Sequence, residues 1–81
     1  METTQETRRP LYIIAREIRK EWKRPYFGAV PYLEAMAQLQ GVTDTYYADS
    51  GRSIVSYFLC NAAGFKGEAA RRIKAELKAM L

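Results

Sequence analysis

Five residues near the C-terminal end, Lys66, Gly67, Arg71, Lys74 and Lys78, have the types and spacing to hold an anion. Lys66 and Gly67 belong to Gly64-Phe65-Lys66-Gly67, a glycine-flanked connection that opens onto an amphipathic run. A helix beginning there presents unpaired amides and a partial positive charge, and glycine lets a ligand approach the backbone closely. Lys66 and Arg71 can add charge-assisted bonds to a phosphate or carboxylate. Arg71, Lys74 and Lys78 are spaced by three and four, so they share one stripe, and none has an acidic residue four positions away. Arg72 differs, because Glu68 and Glu76 lie four residues before and after it, and it is expected to be held in intrahelical pairs. The pattern Gly64-x-x-Gly67 lacks the preceding strand and the Gly-Lys-Ser/Thr ending of a phosphate loop. Glu68 in the same turn opposes a highly charged ligand, and a basic stripe also serves as an ordinary solvated face.

Aromatic pairs form a second group. Tyr26-Phe27 and Tyr46-Tyr47 can stack on a nucleobase, with Arg24, Arg52 or Lys66 at its phosphates. The alternative is structural burial, with Phe27 packing the loop before Gly28 onto the core. Arg16, Arg19, Lys20 and Lys23 make a second basic stripe for a partner, while Glu17 and Glu21 fall on the far side of the same helix. Catalytic groups are scarce. Histidine is absent, which removes an imidazole base and the common zinc ligand sets. Asp44, Asp49, Glu34 and Ser50 form no metal box and no nucleophile with its base. The expectation is a protein that is not an enzyme and carries no metal or cofactor. Lone Cys60, set in an apolar run, reads as a buried reduced thiol.

Four helices must position these groups. Pro10 suits a first turn, and Leu11, Ile14, Ala15, Ile18 and Trp22 recur at helical spacing up to about Arg24, where Pro25 ends the run. Pro31 opens a second helix through Gln40, with Leu33, Met36, Ala37 and Gln40 on one face and Gly41 as terminator. Val42 to Asp49 reads as a loop that can hold one helical turn from Asp44. Asp49 or Ser50 caps a third helix whose apolar set is Ile54, Val55, Phe58, Leu59 and Ala62, ending at Gly64. The fourth runs from Lys66 or Gly67 to Met80 and buries Ala70, Ile73, Leu77, Met80 and Leu81. The fold class is therefore all-α, a compact bundle of about four short helices in one domain at 10–81, preceded by a flexible tail at 1–9.

A chain of 81 residues buries only roughly 60–65% of the surface its unfolded form exposes. With one cysteine and no internal disulfide, self-association into a homo-oligomer is the expected supplement to a thin core. The net charge of +4 is uneven: residues 1–25 carry +3, residues 26–65 carry −2 and residues 66–81 carry +3. Basic ends around a mildly acidic middle favour an anionic partner. The polar N-terminal residues read as no signal peptide, and no apolar run approaches a bilayer's span, so a cytoplasmic location with no membrane partner is expected.

At Gly28-Ala29-Val30-Pro31-Tyr32-Leu33-Glu34-Ala35-Met36, Phe58-Leu59-Cys60-Asn61-Ala62 and Gly67-Glu68-Ala69-Ala70-Arg71-Arg72-Ile73-Lys74-Ala75-Glu76-Leu77, the chain resembles small uncharacterised helical proteins encoded by bacteriophages and prophages. The resemblance carries no diagnostic motif and brings no functional residues with it. It implies an accessory protein acting by stoichiometric binding in the host cytoplasm, as an anti-defence inhibitor of a host immune protein or a sponge for a nucleotide signal. The alternative is a small DNA-binding regulator that reads nucleic acid with the basic fourth helix. No full helix-turn-helix spacing supports it.

Overall fold

The computed structural model describes residues 9–81 and consists of four helices and a two-stranded antiparallel ribbon. Its architecture is mostly helical without being purely so. The expectation of a flexible tail over residues 1–8 lies outside the described residues. Arg9, placed in that tail by the sequence reading, is anchored by ion pairs described below.

Helix α1 spans Leu11–Glu21 and buries Leu11, Ile14, Ala15 and Ile18, the face set by its apolar spacing. It ends three residues earlier than expected, as the Trp22 amide closes back on the Ile18 carbonyl at 2.7 Å. Its first amides are not left to solvent. Leu11 N–H donates to Gln40 O and Tyr12 N–H to Leu39 O, both at 2.9 Å, so the end of the second helical segment caps the start of the first.

Helix α2 spans Val30–Met36, with Pro31 in its first turn. It stops well before Gln40. The chain continues in tighter turns, Gln38 N–H to Ala35 O and Leu39 N–H to Met36 O, which shift the helical phase. Leu39 is buried beyond these turns, as Ala35 is within α2, whereas Ala37 and Gln40, expected on the inner face, are exposed.

The expected loop with a helical turn at Asp44 is a short ribbon instead. Strand β1, Thr45–Tyr46, pairs with β2, Asp49–Ser50, in the register Thr45↔Ser50 and Tyr46↔Asp49. Asp44 serves the turn before it, its carboxylate accepting from the amides of Gln40 at 2.9 Å and Gly41 at 3.3 Å. Two strand residues are too few to show alternation, and Tyr47-Ala48 is no standard hairpin turn signal. Tyr47 adopts φ 58°, a left-handed conformation that a bulky side chain enters only at a cost.

Helix α3 spans Gly51–Cys60 and is capped by Ser50, whose Oγ accepts the Ser53 amide at 3.1 Å. Gly51 lies so close to the α2–β1 turn that a Cβ there would sit 2.6 Å from Gly41 O, which dictates glycine. Helix α4 spans Glu68–Lys78 and starts at Gly67, whose φ of 108° likewise requires glycine.

The core joins Leu11, Ile14, Ile18, Leu33, Met36, Ile54, Val55, Phe58, Phe65, Ile73 and Leu77. Trp22 stacks on Phe65 with centroids 5.2 Å apart and meets Phe58 edge-on at 6.3 Å. Phe27, expected to pack the α1–α2 connection onto the core, is outside and 79% exposed, tilted against Tyr26. Cys60 is also exposed, not buried, because it lies about 200° around α3 from the inward Phe58. Leu81, assigned to the buried face of α4, is 47% exposed.

Candidate functional site

Helix α4 packs chiefly against α1, and its apolar stripe Ala70, Ile73 and Leu77 divides its charges into two flanks. On one flank a four-residue network closes the seam. Arg9 makes a forked contact with Glu76, Nε to Oε2 at 3.0 Å and Nη2 to Oε1 at 2.7 Å. Its Nη1 stands 2.8 Å from Glu17 Oε1 as an ion pair without hydrogen-bond alignment. The other Glu17 oxygen accepts from Arg72. Arg72 is therefore paired across the seam, not within its own helix as the spacing from Glu68 and Glu76 suggests. Glu17 is held ionised below the ordinary carboxylate value, chiefly by the Arg72 bond and also by Arg9, against the opposing effect of burial. In return Glu76, and after it Glu17, raise the already high proton affinity of Arg9, and Glu17 raises that of Arg72.

The second flank carries Lys74, with Lys66 and Lys78 close enough to act on its charge. Lys74 is half-buried, and its Nζ stands 5.9 Å from the centroid of Phe65, the ring that also stacks on Trp22. Burial lowers its proton affinity first, and Lys78 and Lys66 lower it further. Arg71, Lys66 and Lys78 are exposed and belong to no ion pair among the described residues. No side chain caps the start of α4 at Gly67. Lys66, Gly67, Arg71, Lys74 and Lys78 thus occupy one connection and one helix, with no carboxylate partner for the cations among the described residues.

The other sequence candidates are dispersed. Arg52 turns to the end of α4, its Nη1 donating to the carbonyls of Leu81 at 2.7 Å and Met80 at 3.3 Å. Tyr46 is half-buried against the core edge, with Tyr47 packed edge-on against it at 4.8 Å and 90% exposed. Tyr26 is half-exposed and tilts against Phe27 at 4.9 Å. Arg16, Arg19 and Lys20 on α1, and Lys23 two residues beyond its end, are exposed. Arg16 lies over the Tyr12 ring at 5.7 Å, and it shares an open cavity of about 440 Å³ with Lys20, Arg9, Ile13, Glu17 and Glu21. Glu17 and Glu21, expected on the far side of the helix, border the same cavity as Arg16 and Lys20, so that stripe is interleaved with carboxylates.

Two further cavities lie elsewhere. One of about 230 Å³ is lined by Arg9, Pro10, Gln40, Gly41, Val42 and Met80, and one of about 300 Å³ by Tyr26, Cys60, Asn61, Ala63 and Gly64. None of these three places an aromatic ring and a cation together. Among the described residues no three His, Cys, Asp or Glu side chains gather as a metal site, and no helix is long and apolar enough to cross a membrane.

The seam network was missed in the sequence, although its register is visible there. Glu17 precedes Ile18, and Arg72 precedes Ile73, so each borders an inward-facing residue in the way that flanking charges border a helix–helix seam. Tyr57 was missed as well. It is half-exposed on α3 and its ring lies 5.6 Å from that of Tyr32.

Set beside models of protein families, curated proteins and solved structures, the chain matches none of them.

Proposed function

We propose that this protein is a non-catalytic accessory protein that acts by stoichiometric binding, holding an acidic protein surface against Lys66, Arg71, Lys74 and Lys78. The observation that carries this reading is the contrast across α4. Arg72 is neutralised within the fold, whereas Lys74 is crowded by Lys66 and Lys78 with no acid paired to them among the described residues. Like charges held together cost folding free energy, and an anionic partner recovers that cost on binding. Taken with the likeness to phage-encoded proteins, the partner would be a host defence protein bound as an inhibited complex.

The nucleotide-sponge form of the reading has less support, because Tyr26, Tyr46 and Tyr47 are not gathered with free cations and Arg52 is bonded to the α4 terminus. The DNA-reading form also has less, since a helix-turn-helix joins its helices by three or four residues. Here residues 61–67 separate α3 from α4, and α4 lies chiefly on α1.

Calorimetric titration with poly-L-glutamate and with a short DNA duplex, over a series of salt concentrations, tests the proposal. Wild type should bind the polyglutamate in preference to the duplex, and Arg71→Glu/Lys74→Glu should weaken that binding at least about tenfold with an unchanged thermal melt. Tighter binding to DNA at every salt concentration would move the protein to the regulator class. Equal binding by the double variant would leave α4 with a solvated face only.

A further inference from the structure

Lys74 is set apart from the other lysines of the chain by what surrounds its amine. Lys20, Lys23, Lys66 and Lys78 are exposed, whereas Lys74 is half-buried. Its Nζ stands over the Phe65 ring, 5.9 Å from the centroid, and that ring is itself buried and stacked on Trp22. The contact is at the outer limit of a cation–π interaction, so the ring returns little of what an ammonium loses on leaving water.

The charges near it have one sign. Lys66 follows Phe65 directly in the chain, and Lys78 lies one helical turn beyond Lys74 on α4. The positions three and four residues away on α4 are Ala70, Arg71, Leu77 and Lys78, none of them acidic. Among the described residues no ion pair reaches Lys66, Lys74 or Lys78. Burial first, then Lys78 and Lys66, lower the proton affinity of Lys74. A lysine amine in such a site is a nucleophile.

The neighbours select the electrophile. An acyl group that leaves Lys74 neutral relieves the crowding but gives Lys66 and Lys78 no partner. A reagent that leaves an anion on Nζ turns both repulsions into attractions. Carbon dioxide does this. We infer that Lys74 is a carbon dioxide acceptor, forming a reversible carbamate on Nζ that faces the ammonium groups of Lys66 and Lys78. The amine lone pair attacks the carbon, an N–C bond forms as one C–O π bond opens onto oxygen, and a proton leaves to solvent. No leaving group and no oxidant is needed. The three lysines pass from three positive charges to two positive and one negative. The carbamate also repels an acidic surface on this flank; that consequence rests on the function proposed above, whereas the modification itself does not.

Trapping tests the inference on the full chain. The protein is equilibrated with isotopically labelled bicarbonate at mildly alkaline pH, treated with triethyloxonium to alkylate any carbamate, and mapped by peptide mass spectrometry. Labelled ethyl carbamate at Lys74 should exceed that at Lys20 by at least about fivefold, because Lys20 is exposed and shares its cavity with Glu17 and Glu21. Lys66→Gln/Lys78→Gln, both at exposed positions, should bring the label at Lys74 down to the level at Lys20 with the thermal melt unchanged. Three results would overturn the inference: no label at Lys74, label there no greater than at Lys20, or label at Lys74 undiminished in the double variant.

Discussion

The two flanks of α4 begin from the same material and end differently. On the seam side, Arg72 and Glu76 meet Glu17 and Arg9, and every charge has an opposite partner. On the outer side, Arg71, Lys74 and Lys78 belong to no ion pair among the described residues, and Lys74 is left half-buried with its Nζ over the Phe65 ring. Position relative to α1 makes the difference, since helical spacing alone offers Arg72 two glutamates on its own helix and the seam still takes it. A charge beside a packed interface is held by the interface geometry, whereas an exposed intrahelical pair gains only a few tenths of a kcal/mol.

The largest perturbation should remove the contrast altogether. Ile73 is fully buried beneath both flanks. Ile73→Ala should cost about 2–5 kcal/mol in urea denaturation, enough to threaten a domain of this size and to take the outer flank down with the seam.

A smaller change should separate them. Glu17→Gln leaves Arg9 and Arg72 without their shared carboxylate and should cost about 1–2 kcal/mol, with polyglutamate binding retained. A loss of binding as large as that of Arg71→Glu/Lys74→Glu would show that the flanks are not independent.

The smallest effect should appear in the pH dependence. Glu17 has a folded-state pKa below its ordinary 4.5, so its contribution is present above that value and is lost as pH falls through the lower folded value. Lys74 has a folded-state pKa below its ordinary 10.5, so the unfolded chain holds that proton more tightly and stability rises with pH between the two values. Thermal melts across pH should show an acid limb that Glu17→Gln removes and a slight alkaline gain that Lys74→Met removes. The seam and the outer flank thus respond at opposite ends of the scale.

Much of the scaffold was legible because it rests on local periodicity. Leu11, Ile14, Ala15, Ile18 and Trp22 are all buried as their spacing requires, as are Ile54, Val55, Phe58 and Ala62, and Ser50 is the cap of α3. Legibility failed where a tertiary contact decides. The end of α2 tightens while its last carbonyls cap α1, which no window of α2 alone reveals. The ribbon has only two residues in each strand, too few for a pattern, and Gly51 after it is packed against Gly41, a contact that no window of the ribbon itself reveals. For the candidate site, helical spacing sets Arg71, Lys74 and Lys78 along α4, whereas Lys66 lies in the connection before it and is not placed by that spacing. The fates of Arg52 and Arg72 were not readable, because their partners lie 28 or more residues away. Hydrophobicity alone points Phe27 and Cys60 inward, whereas Phe27 lies exposed on the α1–α2 connection and Cys60 faces away from the inward Phe58 on α3.

The seam also bears on the order in which the chain assembles. Arg9 and Glu76 are 67 residues apart, while α2 finds its neighbours in the helices that directly precede and follow it. Contacts of short sequence separation close quickly, and those that span nearly the whole chain carry the greatest loop-closure cost. During synthesis, α1, α2 and α3 can associate as they emerge, but α4 can dock only once it has emerged in turn. The basic flank is therefore ordered after the α1–α3 contacts, and a partner that requires it meets chains whose first three helices are already packed.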